Sequence, residues 1–233
     1  MLIFFKGFHF AKDGPGNRLV YHLQGCNMHC PWCSNPEGMP LTGGEEVSVS
    51  AIVKEALSCR PIFFSGGGVT FTGGEATLQA DELCEALRRL REAGIHTAIE
   101  TNGTSPALPV IQENVDYLIM DVKHCDGTLF HRYTGVRIDT LRKNFAYLTG
   151  IRRQLHIRIP LIHHVNADLG ADFADYFAGF PTESVVFEIL PYHEYGKDKW
   201  KGAYEIKDGF VSERQIRDFE SALKARGLRV VHT

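Results

Sequence analysis

The sequence predicts an α/β protein, an incomplete (β/α)6 barrel of the TIM-like kind, with all 233 residues in a single domain. Three observations carry this expectation. Apolar strand-like runs alternate with amphipathic helical stretches six times, the rhythm of a parallel sheet with crossover helices. The polar and glycine-rich groups that stand out follow the C-terminal ends of those runs, where such sheets gather their chemistry. The length suits one domain rather than several.

In order, the first segment closes in the turn Asp13-Gly14-Pro15-Gly16, where glycine and proline set angles that other residues resist. Arg18 to Leu23 alternates and is the first expected strand, leading into a cysteine-bearing loop. Residues 40–47 are a polar linker, and Ser48 to about Arg60 is a helix with Ser48 or Ser50 as N-cap. The stretch 61–75 is read as an apolar strand from Pro61 running into a glycine-rich turn that ends Gly73-Gly74-Glu75. No Gly-Lys-Ser/Thr comes after it, so it is not a phosphate loop. Asp81 to Ala93 is a helix with the stripe Leu83, Leu87 and Leu90, stopped by Gly94. Ile95 to Glu100 is the third strand, ending in Thr101-Asn102-Gly103.

A short helix around 106–113 leads to a fourth strand, Val115 to Val122, ending in Asp121-Val122-Lys123-His124. Asp121 and Lys123 share a face, and a cation beside an anion suits a zwitterionic ligand; an ordinary surface pair is the plainer alternative. Asp139 to Leu148 is the next helix. Leu155 to Pro160 is the fifth strand, with His156, Arg158 and Pro160 on one face. Asp168 to Ala178 is helical, and Ser184 to Leu190 is the sixth strand, feeding Pro191-Tyr192-His193. A helix from Ser212 to Ala225 and the stretch Leu228 to Val231 complete the domain.

The loop after the first strand holds Cys26, Cys30 and Cys33 as C-x3-C-x2-C. Soft thiolates select iron–sulfur clusters, zinc or Cu(I). A closed zinc site or an electron-transfer cluster uses four protein ligands, so three close cysteines point to a cubane with one iron open to substrate. His29 or His22 as a fourth ligand would instead close a structural zinc site, and unlinked thiols are the third reading. Pro31 and Pro36 stiffen the loop, and Trp32 is placed to shield a cluster from water.

This spacing, with Asp13-Gly14-Pro15-Gly16-Asn17-Arg18, Gln24-Gly25-Cys26 and Trp32-Cys33-Ser34-Asn35-Pro36-Glu37, resembles the glycyl radical enzyme activating enzymes of the radical S-adenosylmethionine (SAM) superfamily. The resemblance covers essentially the whole chain. It implies a 4Fe-4S cluster on Cys26, Cys30 and Cys33, with Trp32 and Asn35 beside it. It implies SAM held by Gly73, Gly74 and Glu75, by Asp121 and Lys123, by Arg158, and by His193 at the adenosine. Glu100 stands where relatives carry Asp or Glu, and with Asp121 it would contribute to a monovalent-cation site; a strand-end carboxylate facing water is the alternative. Cys26, Cys30, Cys33, Lys123 and Arg158 are the expected catalytic set.

The implied reaction is reductive cleavage of SAM and abstraction of a Cα hydrogen from a glycine of a partner glycyl radical enzyme, with a flavodoxin or ferredoxin as electron donor. Many relatives carry a cysteine-rich insertion after Pro36-Glu37; here it is absent, and Cys59, Cys84 and Cys125 are scattered, so one cluster is expected. Ser34 stands where pyruvate formate-lyase activases have histidine, which points away from that lyase as partner. Activation of an anaerobic ribonucleotide reductase, action on a small molecule, and a non-enzymatic zinc module are the alternatives. With 25 basic and 28 acidic side chains, nothing favours a nucleic-acid or membrane partner, and a cytoplasmic location is expected. No apolar run reaches the ~20 residues of a membrane span.

Overall fold

The computed structural model describes residues 1–64 and 66–232; Ser65, inside the second expected strand, and Thr233 lie outside the described residues. The chain divides into two compact units, Met1–Asn27 with Asn35–Ile119, and Met28–Ser34 with Met120 onward.

The first unit holds β1 (Leu2–Phe10), β2 (Asn17–Leu23), β3 (Glu45–Glu46), α1 (Val49–Cys59), β4 (Gly68–Gly73), α2 (Ala80–Glu92), β5 (His96–Thr101), α3 (Leu108–Ile111) and the start of β6 (Tyr117–Asp121). Its strand order is β3-β1-β2-β4-β5-β6. The β2/β4 and β4/β5 pairs are parallel, as expected. β1 is an addition: the Asp13–Gly16 turn closes a hairpin, and β1 runs antiparallel to β2 from Ile3 opposite Leu23 to Phe10 opposite Asn17. The second expected strand starts later than the apolar run indicates. Pro61 sits in a 3-10 turn, Arg60–Ile62, where its fixed φ and missing N–H are tolerated. The strand begins only at Gly68, where a Cβ would collide with the His96 carbonyl.

Both faces of these strands are buried, and the alternation divides them into an apolar face and a polar one. On one face Tyr21 stacks on Phe71 at 5.7 Å, and the Tyr21 hydroxyl donates to Glu55 of α1 at 2.7 Å. The stripe Leu83, Leu87 and Leu90 of α2 is fully buried. The other face is polar and starts at Arg18, whose buried guanidinium donates to Thr70 Oγ1 and to the Pro15 and Val69 carbonyls at 2.5, 3.0 and 2.7 Å. Those acceptors offset much of the cost of burying the charge.

The second unit holds the end of β6, α4 (Gly127–Thr134), α5 (Asp139–Gly150), β7 (Leu155–Leu161), α6 (Gly170–Ala178), β8 (Val185–Pro191), α7 (Glu213–Ala225) and β9 (Val230–Val231), with strand order β6-β7-β8-β9. β7/β8 and β8/β9 are parallel. α7 starts with a capping box between Ser212 and Gln215. α6 and α7 approach closely through Gly170 and bring the Phe173 ring, tilted by 57°, to 5.2 Å from that of Phe219. α4 carries no apolar stripe long enough to be assigned from sequence; Asp126 caps it, and Gly135 ends it in a left-handed conformation. The six expected strands are β2, β4, β5, β6, β7 and β8, and β2/β4, β4/β5 and β7/β8 among them pair in parallel. No helix among the described residues is long and apolar enough to cross a membrane.

Candidate functional site

In the first unit the chain leaves β2 through a ridge of backbone hydrogen bonds. Gly25 N–H donates to the Gly38 carbonyl at 2.8 Å, and Cys26 N–H to that of Met39 at 3.0 Å. Asn35 immediately precedes the 3-10 turn Pro36–Gly38. On the opposite side Gly74 N–H donates to Leu23 and Glu75 N–H to Gly25, at 2.9 and 2.7 Å. Gly73 has φ of 119°, and a Cβ on Gly74 would strike the Gly25 carbonyl oxygen, so both positions require glycine.

The Glu75 side chain does other work. It is 2% exposed and accepts from Thr101 Oγ1 and Asn102 N–H at 2.6 Å each, and from Thr77 N–H and Oγ1. Burial pushes its pKa up, and those four donors oppose the shift. Its carboxylate therefore joins the exits of β4 and β5, and what Gly73-Gly74-Glu75 can offer a ligand is mainly backbone. Glu100 lies one strand over, accepting from Thr72 Oγ1 at 3.0 Å.

A network that sequence reasoning missed ties the residue after Cys26 to the turn after β5. Asn102 Nδ2 donates to Asn27 Oδ1 at 2.8 Å, Asn27 Nδ2 to Thr104 Oγ1 at 2.8 Å, and Thr104 Oγ1 to Asn102 Oδ1 at 2.6 Å. The only signal for it was two asparagines beside motifs already singled out.

The second unit contains the rest of the cysteine loop. Cys33 N–H donates to the Cys30 carbonyl at 3.0 Å, turning the two cysteines around one bend. His29 N–H is bonded to the Thr134 carbonyl at 3.0 Å, and Trp32 is 8% exposed with its ring 5.6 Å from that of Tyr133. Lys123 Nζ donates to Asp121 Oδ2 at 3.0 Å. Burial alone would lower the Lys123 pKa, but Asp121, Cys30 and Cys33 together raise it, so the ammonium stays charged. The other Asp121 oxygen, Oδ1, is buried without a hydrogen-bond partner among the described residues. An unmatched acceptor of this kind fits an incoming amine or cation.

Arg158 stands opposite Glu188 in the β7/β8 register, and its Nε donates to Glu188 Oε2 at 2.8 Å. His156 Nε2 lies 3.1 Å from the same oxygen. Glu188, 4% exposed, was not singled out from sequence; a lone acid in the apolar run Val185-Val186-Phe187-Glu188-Ile189-Leu190 was its signal. Asn166, also missed, donates to the Lys123 and Pro160 carbonyls at 3.2 and 2.8 Å. His193, just past β8, stacks on Tyr195 at 4.1 Å, and its Nδ1 accepts Tyr195 N–H at 3.4 Å. Burial lowers its pKa, so the neutral ring carries its proton on Nε2.

His163, His164 and Asp208 bring ligand atoms within 4.8 Å of one another. Gln215 Nε2 donates to His163 Nδ1 at 2.9 Å, however, which places the His163 proton on the Nε2 that faces Asp208. That is a hydrogen-bonding tautomer, not a ligating one.

None of the six cysteines forms a disulfide, and Cys26, Cys30 and Cys33 are the only set of three closely spaced in sequence. The chain belongs to the radical SAM superfamily, whose model matches residues 20–176. Within it, a pyruvate formate-lyase-activating enzyme of Clostridium pasteurianum is 33% identical over 216 residues, covering 88% of this chain and 89% of its own. The pyruvate formate-lyase 1-activating enzyme of Escherichia coli K12 is 34% identical over 196 residues, covering 81% and 79%. A crystal structure of a domain of such an enzyme from Bacteroides vulgatus superposes with a TM-score of 0.61 at 29% identity, over 71% of this chain and 98% of that one. The chain is a member of the family of these activating enzymes. Membership implies a 4Fe-4S cluster and SAM. The donor set fits both: three thiols with one cluster corner left over, a lysine whose charge Cys30 and Cys33 help to hold, and an unmatched carboxylate oxygen on Asp121.

Proposed function

We propose that this chain activates a glycyl radical enzyme by removing a Cα hydrogen from one of its glycines, and that residues 1–233 act as one radical SAM domain. The observation that carries the reading is the Lys123 ammonium, paired with Asp121 and under the influence of both Cys30 and Cys33. A fixed positive charge there favours anionic thiolates and accommodates the carboxylate of an amino-acid cofactor. When bound, the cluster and SAM supply a 5′-deoxyadenosyl radical by one-electron cleavage of a sulfur–carbon bond.

The chain's own residues bind and orient. Cys26, Cys30 and Cys33 hold the cluster; Trp32 excludes water from it, and Asn35 borders it. The backbone of Gly73, Gly74 and Glu75 presents carbonyls to the methionyl end. Asp121 Oδ1 accepts from the amine or, with Glu100, would ligate a monovalent cation. Arg158, held by Glu188, faces the cofactor and the target backbone, and His193 offers Nε2–H to the adenosine. Fixing both reactants this way makes the hydrogen transfer effectively intramolecular.

A flavodoxin or ferredoxin is the proposed electron donor, and the cytoplasm the proposed location. Pyruvate formate-lyase is the first partner to test, since the relatives carry its name; Ser34 is the reason to test other glycyl radical enzymes beside it. The experiment is anaerobic reconstitution, then reduction in the presence of SAM. The reading requires about four irons per chain and 5′-deoxyadenosine formation that a Cys30→Ala variant lacks. Zinc in place of iron, or no 5′-deoxyadenosine, overturns it.

A further inference from the structure

We infer that the segment from His193 to Trp200 is a strap that locks the third cluster cysteine to the adenosine-side histidine, with Trp200 and Lys199 as positioning residues. The inference rests on the reading of the site given above and adds residues that no motif assigns. Trp200 Nε1–H donates to the Cys33 carbonyl at 3.2 Å, and Lys199 Nζ to the Ser34 carbonyl at 3.2 Å. Close to both, Gly196 presses against the same peptide: a Cβ there would lie 2.5 Å from Ser34 Cα and 2.7 Å from the Cys33 oxygen. The contact is therefore close-packed at one point and pinned by donors just beyond it.

Both ends of the strap are anchored. At its start Tyr195 stacks on His193 and donates its N–H to His193 Nδ1. The Lys197–Glu194 pair at 2.8 Å braces the bend, and the 3-10 turn Lys197–Lys199 stiffens the approach to Trp200. At its far end the Trp200 ring meets Tyr204 edge-on at 5.8 Å, and the Tyr204 hydroxyl is bonded to that of Tyr192, beside His193, at 2.9 Å. The strap thus returns to its own origin.

The physical consequence is coupling. The Cys33–Ser34 peptide sets the direction in which the Cys33 side chain leaves the backbone, and the strap fixes that peptide. Ordering the loop around a cluster therefore orders His193. By reciprocity, a ligand that fixes His193 steadies the Cys33 end of the loop.

The test is a double-mutant cycle on the reconstituted full chain. Trp200→Phe keeps the ring against Tyr204 and removes only the donor, and His193→Ala removes the adenosine-side ring. Two quantities are read: SAM affinity, from the change SAM makes in the spectrum of the reduced cluster, and the rate at which a chelator strips iron. One hydrogen bond is worth about fivefold in an equilibrium. Trp200→Phe is expected to weaken SAM binding and speed iron loss by about that factor. In the His193→Ala background its effect on SAM binding should vanish, because the link then has nothing to position. Lys199→Met, which leaves the core untouched, should reproduce the faster iron loss if Trp200→Phe proves unstable. Additive effects on SAM affinity, or iron loss at the parent rate in both variants, overturn the strap. Absence of cluster or SAM binding in the parent chain would overturn the reading beneath it, so the two failures are distinguishable.

Discussion

Replacing Glu188 separates what holds the second unit together from what the site does. Arg158 and Glu188 are 6% and 4% exposed and share a 2.8 Å hydrogen bond, with His156 at 3.1 Å from the same oxygen. Glu188→Met leaves a buried guanidinium without its carboxylate, a loss of about 3–5 kcal/mol. For a chain of this size each kcal/mol lowers the melting temperature by roughly 2–4 °C, so the fall should be about 6–20 °C. The pair Arg158→Met with Glu188→Met removes both charges and should recover most of that loss, because an apolar replacement of a buried ion pair costs little. Recovery stays incomplete, since buried His156 still loses the carboxylate oxygen that lies 3.1 Å from its Nε2. The double variant should nonetheless form no 5′-deoxyadenosine above background, because Arg158 is gone. Thermal unfolding of the cluster-free proteins by circular dichroism, beside product assays on reconstituted ones, checks both halves. A single variant that loses less than about 1 kcal/mol, or a double variant no more stable than the single, refutes the reasoning.

Other perturbations have equally definite outcomes. Glu75→Gln sets an amide N–H against the Asn102 N–H, and should cost about 1–3 kcal/mol in denaturant unfolding, a buried polar group having lost its match. Gly74→Ala should abolish SAM binding or the fold, because its Cβ strikes the Gly25 carbonyl; wild-type SAM affinity would refute the need for glycine there. Burial holds the His124 pKa below its ordinary value, so the unfolded chain takes up the proton first on acidification. Stability is then full above about pH 6.5 and falls below it, and His124→Asn should flatten that part of the pH–stability curve.

Much of the site is legible because its signals are local in sequence. Cys26, Cys30 and Cys33 lie within eight residues, Gly73-Gly74-Glu75 is contiguous, and Asp121 and Lys123 share a face by strand alternation. The contacts that escape a sequence reading depend on partners distant in the chain. Alternation places Arg158 and His156 on one face, but only the β7/β8 register brings Glu188 opposite Arg158. The Glu75 carboxylate reads as a ligand contact, yet its four donors lie at Thr77, Thr101 and Asn102. β1 is hidden because Leu2–Phe10 carries phenylalanines on both faces and shows no clean alternation. The start of β4 is masked because the apolar Ile62-Phe63-Phe64 run outweighs the turn that Pro61 imposes.

The most direct test mixes the reconstituted chain with pyruvate formate-lyase, SAM and a one-electron reductant under anaerobic conditions and records the electron paramagnetic resonance spectrum. The account expects a glycine-centred radical on the partner whose splitting collapses when that glycine is deuterated at Cα, and no signal with Cys30→Ala. If that lyase stays silent, the same measurement on other glycyl radical enzymes must give the signal. Efficient SAM cleavage with no radical on any of them would contradict it.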